Sequence, residues 1–218
     1  MSGRGPSPSS GDAVAWPLPA AFPSRYGAPV LTAVDTEIFR HRYFTDCMAC
    51  GFCEDQCCSW GVDVDLVHVT NLTEHAASLE AYTGIPRGRW FRAGVLRDPE
   101  MPGGGSVRTR VSGGRCVFRN PQGRGCLIHS FALERGLDYH DLKPIVDCLF
   151  PLTFSGGTLT TTVEVDERSL ICLDTGPTLY RGVRDELGYY FGAGLVETLD
   201  ELESQGLRDA PGSATAAV

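Results

Sequence analysis

The chain has 218 residues, of which 42% are hydrophobic and 21% are charged, as in a folded globular protein. This composition excludes a collagen, a coiled coil and a wholly disordered chain. There is no run of about 18 apolar residues and no basic start followed by an apolar stretch. We therefore expect neither a membrane helix nor a secretory signal. The net charge of −8 argues against non-specific nucleic-acid binding.

Nine cysteines are the unusual feature of the composition. Without a predicted secretory signal we expect a cytoplasmic, reducing location, where cysteines are thiols or metal thiolates rather than disulfides. An odd number also fits complete disulfide pairing badly. The composition therefore indicates metal or redox chemistry.

Both ends of the chain are predicted to be disordered tails around one folded domain. Gly, Pro, Ser and Ala make up 20 of residues 1–30, and residues 206–218 have a similar composition. Such segments bury too little apolar surface to offset the entropy lost on ordering. We expect residues 31–205 to form a single small domain around a cysteine-rich metal site.

The predicted elements of this domain alternate between short helices and short strands. Because helices, strands and a hairpin follow one another without a βαβ pattern, the predicted fold class is α+β. The predicted elements are a helix at Leu66–Leu72 capped by Asp65, a helix at Glu74–Tyr82 capped by Thr73, a loop over 87–106, strands at Val107–Val111 and Cys116–Arg119, a helix at Cys126–Glu134 ending at Gly136, a hairpin of Cys148–Phe154 and Thr158–Val165, and helices at Thr178–Leu187 and Leu195–Ser204.

Five cysteines fall within twelve residues, in the run Cys47-Met-Ala-Cys50-Gly-Phe-Cys53-Glu-Asp-Gln-Cys57-Cys58. Clustered thiolates repel one another and oxidise easily unless a cation neutralises them. The C-x-x-C spacing lets two sulfur atoms reach one metal while the backbone turns between them, and a glycine suits such a turn. The run therefore predicts a metal site.

The number of metal ions is left open by the sequence. Tetrahedral zinc or iron takes four thiolates, and nine cysteines are enough for two such sites. Cys57 and Cys58 are adjacent, and neighbouring side chains on an extended backbone point to opposite sides. Either one of them is a spectator, or they face two metals, or one thiolate bridges metals in a multinuclear site.

Four further cysteines lie downstream at predicted element edges, and one of them has a histidine three residues later. Cys126 and His129 would share a helix face, which allows a thiolate–imidazole half-site, although a hydrogen-bonded structural histidine is an alternative. His68 and His75 are interpreted as surface or core histidines with satisfied hydrogen bonds. The downstream cysteines are Cys116, Cys126, Cys148 and Cys172.

Three specific cysteine motifs can be compared with the run. No C-x-x-C-H sequence is present, which excludes c-type haem attachment. A disulfide oxidoreductase would carry one C-x-x-C near a βαβ pattern, and neither condition holds. Cys47, Cys50, Cys53 and Cys57 match the spacing of a bacterial ferredoxin run, but Cys58 stands where that run has proline. An iron–sulfur cluster stays an option, without a ferredoxin fold.

Taken together, these segments resemble the cysteine-cluster proteins described as zinc- or iron-chelating and named for their CxxCxxCC motif, together with bacterial proteins that carry a related C-x-x-x-C-C motif. The resemblance spans about residues 47–174 and rests on the order of several short motifs. These motifs are Cys53-Glu-Asp-Gln-Cys57-Cys58, Gly114-Arg-Cys116-Val-Phe, Gly125-Cys126-Leu-Ile-His129, and Leu142-Lys-Pro144 followed by Cys148-Leu-Phe-Pro151.

The resemblance implies a cytoplasmic protein that chelates zinc, iron or an iron–sulfur cluster, without a settled reaction. This chain departs from the family pattern at Cys47 and Cys50, which precede the shared core, in the spacing before Cys148, and at the additional Cys172. The ligands that the family implies are Cys53, Cys57, Cys58, Cys116, Cys126 and Cys148. With the two cysteines of the upstream run, the predicted metal ligands are Cys47, Cys50, Cys53, Cys57, Cys58, Cys116, Cys126 and Cys148.

Three functions are compatible with such a site. The first is a closed metal or cluster site that is structural or carries electrons. The second is an iron-dependent oxidoreductase or other metalloenzyme, with acid–base candidates at His129, Asp63, Asp65 and Tyr180. The third is a zinc-stapled interaction module that uses residues 85–124, where nine arginines face two acids. The sequence predicts a metal ion as a partner, argues against a membrane or nucleic-acid partner, and leaves enzymatic activity and any protein partner open.

Overall fold

The structure is a computed structural model that describes residues 15–44, 50–53 and 55–205. The strands are β1 (Ala15–Pro23), β2 (Val30–Asp35), β3 (Arg42–Tyr43), β4 (Asp63–Asp65), β5 (Leu96–Arg97), β6 (Gly105–Arg108), β7 (Val111–Ser112), β8 (Arg115–Cys116), β9 (Leu152–Ser155), β10 (Thr158–Thr161) and β11 (Leu173–Thr178). The α-helices are α1 (Leu66–Glu74), α2 (Ala76–Thr83), α3 (Leu127–Arg135), α4 (Ile145–Leu149), α5 (Val163–Asp166), α6 (Leu179–Phe191) and α7 (Ala193–Ser204).

The largest sheet has four strands in the order β1-β2-β10-β9. Strand β1 forms one edge of this sheet and pairs antiparallel with β2. Part of the segment that was predicted to be a disordered tail is therefore ordered. The prolines of β1 suit an edge strand, because proline cannot donate a ladder hydrogen bond. The tail prediction is therefore wrong for β1, because Trp16, Leu18 and Phe22 pack against the core. Residues 1–14 and 206–218 lie outside the described residues, so their predicted disorder stays a prediction.

One hydrophobic cluster lies between this sheet and the two closing helices. Helices α6 and α7 bury one face each, and the buried residues of α6 include Val183, Leu187 and Phe191. The same cluster takes in four cysteines, at positions 50, 53, 148 and 172. Half of the described thiols therefore sit inside or against this first core.

A second cluster is built by the middle of the chain. Trp90, Phe118 and Phe131 are almost fully buried in it, together with apolar residues of α1 and α2. Cys116 and Cys126 pack against this cluster while partly buried. The molecule therefore has two apolar clusters, and cysteines lie in or against both.

The α+β class is confirmed, and most predicted helices are found with small shifts at their ends. Asp65 caps α1 as expected, because its carboxylate accepts from the amide of His68 at 3.0 Å. Thr73 does not cap α2, which begins after His75 without a side-chain cap. Glycine at position 136 ends α3 in the left-handed conformation, as predicted.

The predicted strands are shorter than expected, and one segment was misassigned. Cys148 lies in the short helix α4 rather than in the first arm of the hairpin, which is formed by β9 and β10 alone. The second arm ends at β10, and α5 follows it. The predicted strand at Val107–Val111 divides between β6 and β7. In the described part of the chain, none of the helices has the length and apolarity needed to cross a membrane.

Candidate metal site

Three cysteines converge at the edge of the first core. The sulfur atoms of Cys50, Cys53 and Cys172 all lie within 4.8 Å of one another. Their side chains are nearly buried, with exposed fractions of 1%, 6% and 4%. We call this group the thiol triad. A donor set of three sulfur atoms matches the ligand preference of zinc, of Cu(I) and of iron–sulfur clusters.

Backbone pairing places Cys172 beside the run that contains the other two cysteines. Strand β11 begins directly after Cys172 and pairs antiparallel with β3. The amide of Phe44, just after β3, donates to the carbonyl of Cys172 at 3.2 Å. The thiol triad therefore depends on a contact between segments that are distant in sequence.

The side chain of Gln56 links the same two segments a second time. Its amide group donates to the carbonyl of Ser169 at 3.0 Å, and its oxygen accepts from the amide of Ile171 at 3.2 Å. The two bonding partners of Gln56, Ser169 and Ile171, lie just before the triad residue Cys172 in the sequence. They hold the loop before Cys172 against the cysteine run.

Asp55 links the cysteine run to the segment that contains Arg119, Arg124 and Gly125. Its carboxylate is 2% exposed and accepts from the amide of Gly125 and from Nε of Arg119, both at 3.1 Å. Arg124 lies 3.6 Å from the same carboxylate and donates from Nη2 to the sulfur of Cys53 at 3.2 Å. A guanidinium beside a sulfur atom favours the thiolate form that metals bind.

The three thiols of the triad differ electrostatically. Burial raises the pKa of Cys50, but hydrogen bonds from Cys53 and from the amides of Phe52 and Cys53 outweigh it and lower the pKa. Burial raises the pKa of Cys53 and that of Cys172. Of the three thiols, Cys50 is thus the one whose pKa is lowered by hydrogen bonds, which come from Cys53, from Cys172 and from backbone amides.

Five other cysteines line a single cavity of about 410 Å³, and we call it the thiol cavity. Its walls come from both apolar clusters: Phe118 belongs to the second, while Leu152 and Val183 belong to the first. Cavities between packed units are common places for ligand sites. The cysteines that line it are Cys57, Cys58, Cys116, Cys126 and Cys148.

Cys57 and Cys58 both border this cavity although they are adjacent in sequence. They lie in a 3₁₀ turn, Gln56–Ser59, and not on an extended backbone. Successive side chains in such a turn are rotated by about 120° rather than 180°. Both can therefore border the same space, which removes the reason for assigning them to opposite sides.

The deeper cavity thiols are held in their neutral form. Burial raises the pKa of Cys126 and that of Cys148 to about 12. It also raises the pKa of Cys116, whose sulfur lies 3.5 Å from the hydroxyl of Thr109. Cys148 donates to the carbonyl of Lys143 at 3.7 Å. A metal that binds here must displace these protons.

The cavity also contains nitrogen and oxygen donors. His129, Asp147 and Glu186 line it together with the thiols. Burial lowers the pKa of His129, which stacks on Tyr139 with ring centres 4.5 Å apart. Burial raises the pKa of Asp147. This mixture of donors differs from the all-sulfur thiol triad.

Two of the four predicted acid–base candidates reach the cavity, His129 and Asp63. Asp65 is instead fully buried and bonded to Nδ1 of His68 at 2.6 Å, and Nε2 of His68 lies 2.8 Å from a carbonyl. His68 is thus a core histidine with satisfied hydrogen bonds, as predicted. Tyr180 donates to Asp200 at 2.8 Å and joins α6 to α7.

The structure divides the predicted ligands between two places. Cys50 and Cys53 lie in the thiol triad, five others border the thiol cavity, and Cys47 lies outside the described residues. Cys172 completes the triad, although the sequence identified it only as an additional candidate. Asp55, Gln56 and Arg124 were missed. The polar residues between Cys53 and Cys57 were the available signal for the first two.

No protein-family model matches the chain, and no solved structure matches it. The function of the chain is therefore inferred from the geometry and chemistry of the two thiol groups.

Proposed function

We propose that the protein is a cytoplasmic cysteine-cluster metalloprotein that binds zinc or iron, including iron in an iron–sulfur cluster, through two groups of thiolates. The observation that carries the proposal is the thiol triad, in which three nearly buried sulfur atoms lie within 4.8 Å of one another. These thiols come from segments that are distant in sequence, and apolar packing alone does not require three sulfur atoms to lie side by side. A shared cation supplies a reason for this arrangement.

The residues of the triad fit a tetrahedral ion. Zn–S bonds of about 2.3 Å place thiolate sulfurs about 3.8 Å apart, which a small adjustment of the triad achieves. Cys47 precedes Cys50 by a C-x-x-C spacing and is the candidate for the fourth ligand. None of the eight described cysteines forms a disulfide, which agrees with metal binding in a reducing compartment.

The thiol cavity is the proposed source of the second group of ligands, although in the described residues only the triad, and no three donors of the cavity, lie within 4.8 Å of one another. Its five cysteines include most of those that the resemblance to cysteine-cluster proteins implies. Two separate groups also agree with the nine cysteines, which are enough for two four-ligand sites. Both groups draw ligands from the cysteine run: Cys53 belongs to the triad, and Cys57 borders the cavity. Of the residues that the structure describes, Asp55 and Gln56 lie between these two cysteines.

Metal analysis of paired cysteine variants tests this function. Protein purified without oxygen, or reloaded with Zn²⁺ or Fe²⁺, is expected to contain about two equivalents of metal centres. Cys172→Ser should lose the triad metal and keep the cavity metal, and Cys126→Ser should do the reverse. Each variant thus serves as the matched control for the other.

Three results would contradict the proposal. Reloaded wild-type protein without bound metal would overturn it entirely. Full metal content in both variants would overturn the ligand assignment. Complete loss in each variant, with the fold intact by circular dichroism, would show one shared centre instead of two. A brown protein that absorbs near 400 nm would indicate an iron–sulfur cluster. A colourless protein that contains zinc would indicate a zinc site instead.

The cavity favours a second candidate function, that of a metalloenzyme such as an iron-dependent oxidoreductase. A catalytic metal keeps a coordination position open, and a cavity of about 410 Å³ leaves room beside the thiols for another molecule. Binding of azide to Co²⁺-loaded protein tests this: it should shift the cobalt spectrum of wild type and of Cys172→Ser but not of Cys126→Ser. An azide-insensitive spectrum in every form would count against an open centre.

A further inference from the structure

The nine arginines of residues 85–124 fall into two groups in the structure. Three of them are bound to buried or half-buried acids: Arg108 pairs with Asp63, and two others pair with Asp55. Five others are exposed, and none of these five forms an ion pair with another residue that the structure describes. We call these five the arginine edge: Arg87, Arg89, Arg92, Arg97 and Arg110.

Backbone pairing places the arginine edge along one border of a small sheet. Strand β6 lies between β4 and β5, so β5 is an edge strand. The chain before β5 follows the same border, because the amide of Arg92 donates to the carbonyl of Arg108 at 2.8 Å and the amide of Arg110 donates to the carbonyl of Trp90 at 2.9 Å. Nε of Arg110 donates to the carbonyl of Phe91 at 2.7 Å. The remaining arginines lie in β5 and in the short turn before Trp90.

A bulge in this border exposes two aliphatic side chains. Between Arg92 and Leu96 the border has three residues, whereas β6 has one residue opposite them. Extra residues of this kind leave the ladder, and Gly94 permits the turn because its φ is 95°. Val95 is 57% exposed and Leu96 is 65% exposed. Of the exposed large apolar side chains in the described residues, these are the only two that are adjacent in sequence.

The acids closest to the arginine edge in sequence are bound by backbone amides. Glu100 accepts from two amides of the turn between β9 and β10, at 2.9 Å and 2.8 Å. Asp98 accepts from the amide of Glu100 at 2.9 Å, and Glu80 accepts from the amide of Arg87. These bonds aim the carboxylates at N–H groups rather than at guanidinium groups. The guanidinium groups of the arginine edge are therefore available to an external anion.

We propose that the arginine edge, together with Val95 and Leu96, binds the anionic surface of a lipid bilayer. Guanidinium groups bind phosphate groups in a bidentate manner, and exposed aliphatic side chains enter the boundary between headgroups and acyl chains. The proposal goes beyond metal binding and does not depend on it. The net charge of −8 does not prevent such binding, because charges farther away than a Debye length of about 8 Å are largely screened.

The apolar pair favours a lipid surface over other anionic partners. Proteins that bind single-stranded nucleic acid use exposed aromatic rings for stacking. In this segment Trp90 is fully buried and Phe91 is half-buried, packed edge-on against Trp90 with ring centres 6.2 Å apart. An acidic peptide that adds a strand needs a long free edge, and β5 has two residues. Neither partner accounts for two exposed aliphatic residues beside arginines, whereas a bilayer does.

Sedimentation of the full-length, reduced protein with vesicles tests the proposal. The vesicles contain phosphatidylcholine alone or phosphatidylcholine mixed with an equal amount of phosphatidylglycerol. The protein should sediment with the mixed vesicles only, and added salt should weaken binding. Because each arginine near an anionic surface contributes about fivefold to affinity, Arg92→Ser combined with Arg97→Ser should lower the affinity by about twentyfold. Leu96→Ser should lower it by about fivefold or more.

Matched variants separate the arginine edge from total charge. Arg40→Ser combined with Arg168→Ser removes the same charge at exposed positions where each arginine pairs with an acid, and it should bind as wild type does. Leu133→Ser removes an exposed aliphatic side chain on α3 and should also bind normally. Leu96→Trp provides a direct signal, since its fluorescence should shift to shorter wavelength when the side chain enters the bilayer. Circular dichroism checks that each variant is folded.

The opposite results would overturn the proposal. These are equal sedimentation with both kinds of vesicle, or wild-type affinity in the folded Arg92→Ser and Arg97→Ser double variant. An equal loss in the Arg40→Ser and Arg168→Ser control would show an effect of total charge and overturn it as well. An unshifted Leu96→Trp spectrum in bound protein would contradict insertion. Binding of double-stranded DNA or polyglutamate without binding of the mixed vesicles would assign the arginine edge to a different partner.

Discussion

Asp55 shows how a single residue can hold the cysteine run in place without being part of either thiol group. It adopts the left-handed conformation, with φ of 57°, between the two cysteine groups. Its carboxylate is satisfied by one backbone amide and two arginines. A buried charge is tolerated only when it is paired in this way. The pairing fixes the cysteine run against the segment that precedes Cys126.

Removal of this charge should therefore destabilise the protein. In Asp55→Asn the arginines lose a charged acceptor, and we expect the free energy of unfolding to fall by about 2–3 kcal/mol. Urea denaturation of the metal-free, reduced protein measures this. Asp174→Asn is the control, because Asp174 is 65% exposed and pairs with Arg168 at the surface. The control should change stability by less than about 1 kcal/mol, and equal effects of the two variants would contradict the argument.

At the scale of an element, the 3₁₀ turn Gln56–Ser59 decides where two thiols point. Its tight winding places Cys57 and Cys58 on the same cavity, and Gln56 at its start bonds to the loop before Cys172. The turn therefore separates the two thiol groups and also connects them. A change at one of its residues should affect one group without the other.

Gln56→Leu is the variant that tests this separation. It removes two hydrogen bonds that hold the loop before Cys172, and outer residues of this kind commonly contribute about 10–100-fold to metal affinity. We expect the affinity of the triad metal to fall by about tenfold while the cavity metal is retained. Chelator competition measures both. Gln122→Leu, at an exposed position, should leave both affinities unchanged. Equal weakening of both metals would contradict the separation.

The helices could be predicted better than the strands. Helices α1 and α3 follow local signals, the Asp65 cap and the glycine at position 136, that act within a few residues. Strands β1 and β11 carry weaker signals, with prolines in both. Strand β1 is held in place by pairing with β2 and strand β11 by pairing with β3, and both pack on the first core. No local pattern reports such distant partners.

At the scale of the whole molecule, two apolar clusters meet at the thiol cavity. Packing against them leaves the thiols of Cys126 and Cys148 poorly solvated, which disfavours the charged thiolate. A metal could bind the buried thiols of Cys126 and Cys148 only by replacing the protons on their sulfur atoms. The arrangement therefore links both metal affinity and stability to pH.

The metal-free protein should become less stable at alkaline pH. The two thiols ionise near 9 in the unfolded chain and near 12 in the folded protein, so between these values the folded state binds more protons. The free energy of unfolding should therefore fall as pH rises from about 9 to 12, by up to about 1.4 kcal/mol per pH unit for each thiol. Urea denaturation at several pH values measures the slope.

A variant isolates the contribution of one thiol from that of the buried tyrosines, which also ionise at alkaline pH. Cys126→Ala removes one group whose pKa is raised to about 12, so its stability should decline less steeply with pH than that of wild type. If the stability of Cys126→Ala and that of wild type fall equally steeply with pH, the pKa of Cys126 is the same in the folded and the unfolded protein, and the prediction is wrong. Stability at neutral pH serves as the reference for each.

The sequence by itself determined the α+β class of this protein and the concentration of its thiols in one short run. The mixture of short elements predicted the α+β class, because the signals for such elements act locally. The five cysteines in a short run and the four downstream predict a thiolate metal site, which stays a prediction. Only the tertiary structure decided which thiols meet. Pairing of β11 with β3 brings Cys172 to Cys50 and Cys53, and the junction of two apolar clusters gathers the others around a cavity. Contacts between distant segments depend on the packing of the whole chain, and local spacing carries no record of it.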